Sequence, residues 1–400
     1  MQALDPPRDL TLPDRGSTTA RTVLSRAIGR LLSDLRDVLR GPHEDAALRR
    51  DIAALSAALV SVPDRQAALT TLLRRPNVAA LVRCARVPGT DPALVSELVA
   101  TIVVELAALG ALRGNVQLER APAQIVSMVG QFALHVPPNR GLSVEPDAIE
   151  ITGDPPVRIA LPPSPALVEM PFHAVAGPIL LALADNNPLS MVEAHPKKSG
   201  NRIDLGGHSA SAWCDSLRDA LARIERYLPD LRREHDLYVQ QFVPVGFDAE
   251  AHLSASYREA IGTIYLTLHP QPMTMTEAVI HEFSHNKLNA LFEIDDVLHN
   301  AYAPLYRSPV RPDPRPLHGV LLAVHAFVPV ARLYEAMREA DDPLSRNPHF
   351  EARFAKIVAG NHEGMEVLAH ADPTPVGLAV LDELARWDAH FQRLLGASQR

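Results

Sequence analysis

The sequence predicts an α+β fold that is predominantly helical, and two observations lead to this prediction. From about residue 17 to 131 the chain is rich in Ala, Leu and Arg, and apolar residues recur every three or four positions, as on one face of a helix. After Val136-Pro137-Pro138, short β-branched runs appear between Gly, Asp and Pro residues, which is typical of strands. Hydrophobic residues make up 47% of the 400 residues, enough for a sizeable core.

This change in character divides the chain into four parts. Residues 1–16 are polar and proline-rich, and we expect a flexible leader. Residues 17–135 are expected to form a helical scaffold or docking region, which Gly and Pro breaks cut into several helices. Residues 136–245 are expected to be a mixed α/β region, and residues 246–400 a helical, metal-binding catalytic region.

Local patterns predict the elements of the second half of the chain. Serine caps and helical spacing indicate a helix from about 209 or 211 to 233, and a second apolar helix is expected over 317–337. Alternating and β-branched runs predict strands at 149–152, 157–160, 179–184, 237–239 and 263–268.

Composition excludes several classes of function. The net charge of −8 argues against a protein that tracks nucleic-acid phosphates. Two cysteines without a CxxC motif exclude a disulfide scaffold and a cysteine-built zinc site, and they fit a reducing cytoplasm. The N-terminus has no apolar signal region, and the uninterrupted apolar runs are far shorter than the roughly 18 residues of a membrane span, so no membrane association is expected.

The segment with recognisable chemistry runs from Thr274 to His285. It opens with a capping box, in which Thr274 and Glu277 satisfy each other's backbone amides, so a helix is expected to begin just before the histidines. His281 and His285 are one turn apart, so both imidazoles project from one face and can bind one metal ion. Glu282 lies beside them, which completes an HExxH motif on a helix.

Two histidines need a third protein ligand to hold a catalytic metal. The longer HExxHxxGxxH motif is absent, because positions 288 and 291 are both Leu. We favour His325, which lies in an apolar stretch where a buried imidazole needs partners for both nitrogens. His318 on the same helix face is the alternative ligand, and a core histidine with satisfied hydrogen bonds is the other interpretation of His325. The remaining downstream candidates are Glu293, Asp295, Asp296 and His299.

A proline-rich segment at 302–317 joins the two predicted helices and carries Arg311 and Arg315. Its five prolines stiffen the backbone. Arginines held rigidly near a metal suit bidentate binding of a carboxylate. The other interpretation is that they pair with Asp313 or cap a helix.

The HExxH segment is part of a longer signature. Residues 281–291 read HEFSHNKLNAL, which resembles the HEFxHxKLxAL signature of the HExxH-motif proteins found in gene clusters for peptide natural products. Three further blocks agree, namely NPLSMVEAHP at 187–196, SASYRE at 254–259 and RPDPRPL at 311–317. The resemblance covers about residues 180–400.

The resemblance implies an Fe(II)- and 2-oxoglutarate-dependent dioxygenase that β-hydroxylates a side chain of a ribosomally made precursor peptide with O2. It implies that His281 and His285 hold Fe(II) with a third ligand, which we place at His325. The peptide is the implied partner, and a radical-SAM maturase in the same pathway is compatible with it.

The resemblance also implies roles for charged residues around the iron. The far carboxylate of 2-oxoglutarate would pair with Arg311 or Arg315. Glu282 would orient water or a ligand and would not act as a hydrolytic base.

Two other functions compete with the hydroxylase. In a zinc metallopeptidase, Glu282 would be the general base that activates zinc-bound water, although the third histidine of the longer zinc-peptidase motif is missing. In a peptide-binding or scaffold module, the metal site would be degenerate, although His281, Glu282 and His285 are all intact.

Overall fold

The computed structural model describes residues 4–192, 194–195, 198–307 and 313–398. Helices hold 51% of the residues and strands 14%, which confirms the predicted α+β, predominantly helical fold. The helices are α1 (Thr19–Arg40), α2 (Ala46–Ser61), α3 (Arg65–Leu73), α4 (Pro76–Ala85), α5 (Pro92–Ala108), α6 (Ala210–Tyr227), α7 (Pro229–Tyr238), α8 (Pro272–Phe292), α9 (Leu317–Glu339), α10 (Pro348–Leu368) and α11 (Pro375–Ser398), with a 3-10 turn at Pro343–Arg346.

The strands are short, and most have two to five residues. They are β1 (Val116–Leu118), β2 (Gln124–Ser127), β3 (Phe132–His135), β4 (Leu142–Glu145), β5 (Ala148–Ile151), β6 (Val157–Ala160), β7 (Phe172–Ala176), β8 (Ile179–Ala182), β9 (Ala194–His195), β10 (Lys198–Ser199), β11 (Gln241–Phe247), β12 (Ser254–Ala255), β13 (Thr263–Leu268), β14 (Leu305–Tyr306) and β15 (Arg315–Pro316).

The helical N-terminal region is shorter than its composition predicts. Helices α1 to α5 end at Ala108, and the strands β1, β2 and β3 already lie within the part expected to be helical. In β1, Val116 and Leu118 are buried while Gln117 between them is exposed. An alternation over three residues is too short to stand out from a helical pattern, so the helices end earlier than the sequence predicts.

The N-terminal leader is packed where it was expected to be flexible. Leu10 and Thr11 are completely buried. The backbone amides of Thr11 and Leu12 donate hydrogen bonds of 3.0 Å to the carboxylate of Glu383 on α11. A leader without helical or strand periodicity can still be ordered when a distant buried carboxylate satisfies its backbone.

Two sheets organise the middle of the chain. The first is antiparallel with the strand order β1-β4-β5-β6, and its β5–β6 pairing confirms the strands predicted at 149–152 and 157–160. The second has the order β12-β13-β11-β8-β7, with β8, β11 and β13 parallel and an antiparallel strand at each edge. The predicted strand at 263–268 is the parallel strand β13, and it leads directly into α8.

Two sequence predictions fail around residue 228. The helix expected to run to 233 is broken, because Leu228 has non-helical dihedral angles and Pro229 begins the separate helix α7. The strand expected at 237–239 is absent, because Leu237 and Tyr238 complete α7, and β11 begins only at Gln241. Short apolar runs of this kind do not distinguish a buried helix end from a strand.

Helix α9 is long and apolar enough to cross a membrane by length and composition, and it is the one such helix in the described part of the chain. Within its most apolar window, 72% of the residues are buried inside the protein. A buried core helix passes the same length and composition test, so this helix is weak evidence for a membrane span.

Glu293, just after α8, joins the site helix to the N-terminal helices. Its carboxylate is 2.8 Å from Arg258, 3.0 Å from Arg86 and 3.4 Å from Arg83, and its side chain is fully buried. Burial acts to raise the pKa of Glu293, but the arginines, Arg83 first among them, lower it overall. The carboxylate therefore stays charged and compensates a buried guanidinium.

We predict that Glu293→Gln lowers the free energy of unfolding by about 3–5 kcal/mol, because Arg83 is left buried without a full counter-charge. The matched control is Glu119→Gln, which breaks the exposed pair with Arg50 and should leave the free energy of unfolding nearly unchanged, because water screens this pair. Chemical denaturation of both variants measures the difference. Equal losses of unfolding free energy in the two variants would show that the ion pairs of Glu293 do not stabilise the fold more than an exposed pair does.

Candidate metal centre

The helix that carries the HExxH motif begins differently from the prediction. Gln271 is its cap residue and makes no side-chain cap hydrogen bond, and Pro272 occupies the first turn. Thr274 and Glu277 lie inside α8, so the predicted capping box is wrong. Proline at the start of a helix has no N–H to satisfy and a suitable φ angle, so this helix begins without a capping side chain.

Glu277 makes tertiary contacts instead. Its carboxylate accepts a hydrogen bond from the hydroxyl of Tyr334 on α9 and hydrogen bonds of 3.0 and 2.5 Å from Nε and Nη2 of Arg353 on α10. Because Glu277 precedes His281 by one turn, these contacts fix the histidine face of α8 against α9 and α10.

The motif brings three side chains together. One ligand atom each from His281, Glu282 and His285 lies within 4.8 Å of the other two. The two imidazole rings have centroids 4.4 Å apart and planes at 78°. The one-turn spacing thus gives the convergence that the sequence predicts, and this is the one such group of three in the described part of the chain.

The environment keeps both imidazoles neutral. Burial lowers the pKa of His285 to about 4. Burial, and then the neighbouring His285 and Arg353, lower the pKa of His281 well below its usual value. A neutral imidazole presents a lone pair, so at neutral pH both rings are in the form that binds a metal.

Glu282 is buried and held by the edge strand of the sheet. The hydroxyl of Ser254 on β12 donates a 2.7 Å hydrogen bond to Glu282 Oε1, and that of Ser256 donates a 3.2 Å bond to the Glu282 backbone oxygen. The sequence analysis gave neither serine a role, although both lie in the SASYRE block. The sequence interval between these serines and Glu282 could not reveal the contacts, because they form only when the sheet that contains β12 packs against α8.

The two candidates for a third histidine ligand differ in environment. His325 is completely buried, and neither ring nitrogen has a hydrogen-bond partner among the described residues. The ring of His318 is tilted by 35° against that of Phe292, with centroids 4.4 Å apart, and its centroid lies 5.3 Å from that of Tyr302, so it packs as an aromatic ring. His325 is not in the 4.8 Å group. Its role as a ligand stays a prediction, and its unsatisfied nitrogens favour it over His318.

The structure describes one of the two arginines predicted to bind a carboxylate. Arg311 lies outside the described residues. Arg315 begins the short hairpin strand β15, and its Nε is 2.9 Å from a carboxylate oxygen of Asp313. The pairing that competed with carboxylate binding is therefore present at Arg315.

Three side chains near the histidines were missed by the sequence analysis. The Phe327 ring of α9 lies 4.7 Å from the ring of His281, and the guanidinium of Arg353 lies 5.9 Å from the Phe327 ring centre. His252 hydrogen-bonds Thr267 through Nδ1, and its buried Nε2 has no partner among the described residues. They lie on other elements, and no motif joins them to HExxH.

The donor set and its surroundings fit a divalent metal ion. The Nδ1 atoms of His281 and His285 are buried and have no hydrogen-bond partner among the residues described. Such atoms are costly without a ligand, and two imidazoles with a carboxylate are ordinary donors for zinc or non-haem iron. Comparison with models of known protein families and with curated proteins finds no match, so function has to be argued from this site.

We predict that His281→Ala and His285→Ala each abolish stoichiometric metal binding and leave the fold largely intact, because both rings face the same group of donors. Metal analysis after anaerobic purification, together with circular dichroism, measures the two effects. The control is His173→Ala on β7. Full metal occupancy in either site variant would refute the assignment.

A second prediction concerns the third ligand. We expect His325→Ala to lose metal and His318→Ala to keep it, because only His325 has two buried nitrogens without partners. The buried unsatisfied imidazole costs about 1–3 kcal/mol unless a ligand is bound, so His325→Phe should stabilise the metal-free protein. The reverse pattern of metal loss would identify His318 as the ligand.

Proposed function

We propose that the protein is an Fe(II)- and 2-oxoglutarate-dependent dioxygenase that β-hydroxylates a side chain of a ribosomally made precursor peptide. The observation that carries the proposal is the convergence of His281, Glu282 and His285 on a helix that also bears the longer HEFSHNKLNAL signature. Two histidines and a carboxylate are the usual donor set of non-haem iron oxygenases. A set of His281, His285 and His325, with Glu282 beside the metal and not bound to it, departs from that pattern.

The residues of the chain would divide the work as follows. His281 and His285 hold the iron as neutral imidazoles, and His325 completes the set in our assignment. Bound iron with 2-oxoglutarate supplies the activation of O2. Glu282, fixed by Ser254, orients water or a ligand beside the metal. Arg311 or Arg315 remains the predicted partner of the far carboxylate of 2-oxoglutarate.

An edge strand beside the site supports a peptide substrate. β12 pairs with β13 on one side and, among the described residues, is the last strand of its sheet. Residues 251–259 around it are partly exposed. An extended peptide can pair with such an edge through its backbone, and this would bring its side chains past Glu282. Free Cys84 and Cys214 are compatible with the proposed cytoplasmic location.

A zinc metallopeptidase is the second candidate, and the position of Glu282 favours it. The carboxylate belongs to the same 4.8 Å group as the two histidines, where a general base for zinc-bound water would lie. The two candidates differ in what Glu282 must do. A peptidase needs it to move a proton in the bond-breaking step, whereas the hydroxylase needs it only for orientation.

We predict that a precursor peptide treated with the protein, Fe(II), 2-oxoglutarate and O2 gains one oxygen atom with its backbone intact, and that succinate forms. The oxygen should come mainly from labelled O2. Mass spectrometry of the peptide measures both. Peptide fragments formed with zinc and without 2-oxoglutarate would establish the peptidase instead.

The same assay on Glu282→Gln separates the two mechanisms. We expect a partial loss of hydroxylation, because only orientation is disturbed. Loss of a general base would cost about 100- to 10,000-fold. Glu145→Gln, at an exposed carboxylate paired with Arg158, is the control and should not change the rate.

A further inference from the structure

Arg353 lies on the third helix of the site, next to His281. Both Arg353 and His281 contact the ring of Phe327. The guanidinium carbon of Arg353 lies 5.9 Å from the centre of that ring, and the centre of the His281 ring lies 4.7 Å from it. A cation is therefore separated from a predicted metal ligand by about the width of one aromatic side chain.

The guanidinium is held rigidly relative to the histidines. Nε and Nη2 of Arg353 donate to one oxygen of Glu277 at 3.0 and 2.5 Å, and the hydroxyl of Tyr334 donates to the same carboxylate. Glu277 lies on the face of α8 that carries His281, one turn earlier. The position of Arg353 is thus set by the same helix that sets the metal donors.

Part of the guanidinium remains for a ligand. A guanidinium has five N–H donors, and the bonds to Glu277 involve only Nε and Nη2. The Arg353 side chain is 39% exposed. Glu277 keeps the arginine charged and oriented, and the Nη1 side of the fork is not committed to it.

We propose that Arg353 is the residue that binds the far carboxylate of the dicarboxylate cosubstrate, in place of Arg311 or Arg315. The inference rests on the proposed function, since it takes 2-oxoglutarate as the ligand. A chelating dicarboxylate needs a fixed cation close to the metal, and Arg353 meets this condition through its contact with Phe327. Both arginines are paired with a carboxylate, Arg315 with Asp313 and Arg353 with Glu277. Of the two, Arg353 is the one linked to His281 through Phe327.

The test is binding of 2-oxoglutarate, measured by calorimetry on protein loaded with Mn(II) under anaerobic conditions. Arg353→Met should weaken binding about 10- to 100-fold, the range expected for one charge-assisted pair. Pyruvate, which has the chelating end but no far carboxylate, should bind wild type and variant equally. Metal stoichiometry should not change.

Two further variants control for structural effects. Arg353→Lys keeps a charge beside Glu277 but loses the fork, so it should fold like wild type and bind 2-oxoglutarate with intermediate affinity. Arg338→Met removes an arginine of α9 that lies over Phe354 and pairs with Glu351, and it should bind as wild type does.

The outcomes separate the inference from the proposed function. Wild-type affinity in Arg353→Met, with Arg315→Met or Arg311→Met weakened, would overturn the assignment to Arg353 and leave the hydroxylase proposal standing. Equal loss of pyruvate and 2-oxoglutarate in Arg353→Met would assign Arg353 to helix packing and overturn the inference. Failure of the metal-loaded wild type to bind 2-oxoglutarate would overturn both.

Discussion

The structure depends on the burial of α8, because polar side chains of this helix outside the histidine face are bonded to partners inside the protein. Lys287 is completely buried and forms an ion pair with Glu234 of α7. Asn286 accepts a 2.6 Å hydrogen bond from the amide of Gly262 and donates to the Ser256 hydroxyl at 3.1 Å. These bonds tie the helix to the sheet on one side and to α7 on another, so the histidine face cannot rotate freely.

Burial also sets the chemistry of the site. The same removal of water that costs the helix free energy lowers the pKa values of His281 and His285, and it keeps both rings neutral. A neutral imidazole with a buried, unpaired nitrogen is unfavourable until a ligand takes its lone pair. The fold therefore holds the donors in an unsatisfied state that a metal ion would relieve.

Ion pairs around the helix divide into those that hold the fold and those that shape the site. Glu293 sits among three arginines below the end of α8 and connects it to the N-terminal helices. Glu277 sits at the other end, and its partner Arg353 lies beside the donors. The buried carboxylate of Glu293 thus anchors the scaffold, and the partly buried carboxylate of Glu277 positions a cation next to the candidate metal site.

Much of the architecture and part of the site could be predicted from local patterns. The period of apolar residues predicts that the N-terminal region consists of several helices, which are α1 to α5 in the structure, and it predicts α9. The strands β5, β6 and β13 follow from β-branched runs. The predictions that failed concern the ends of helices and short segments without a clear period. The start of α8 was placed by a capping box, but Pro272 begins the helix and Glu277 is used by Tyr334 and Arg353. The leader was expected to be flexible because it lacks periodicity, yet Glu383 binds its backbone.

The sequence by itself determined that His281 and His285 share a face and that Glu282 lies beside them, because a helix repeats every 3.6 residues and the spacing is local. Only the tertiary structure decided which other side chains reach that face. Ser254, Phe327 and Arg353 come from a strand and two helices whose packing depends on long-range burial. The spacing of residues in the sequence does not predict such contacts, since they form only when these separate elements pack around α8.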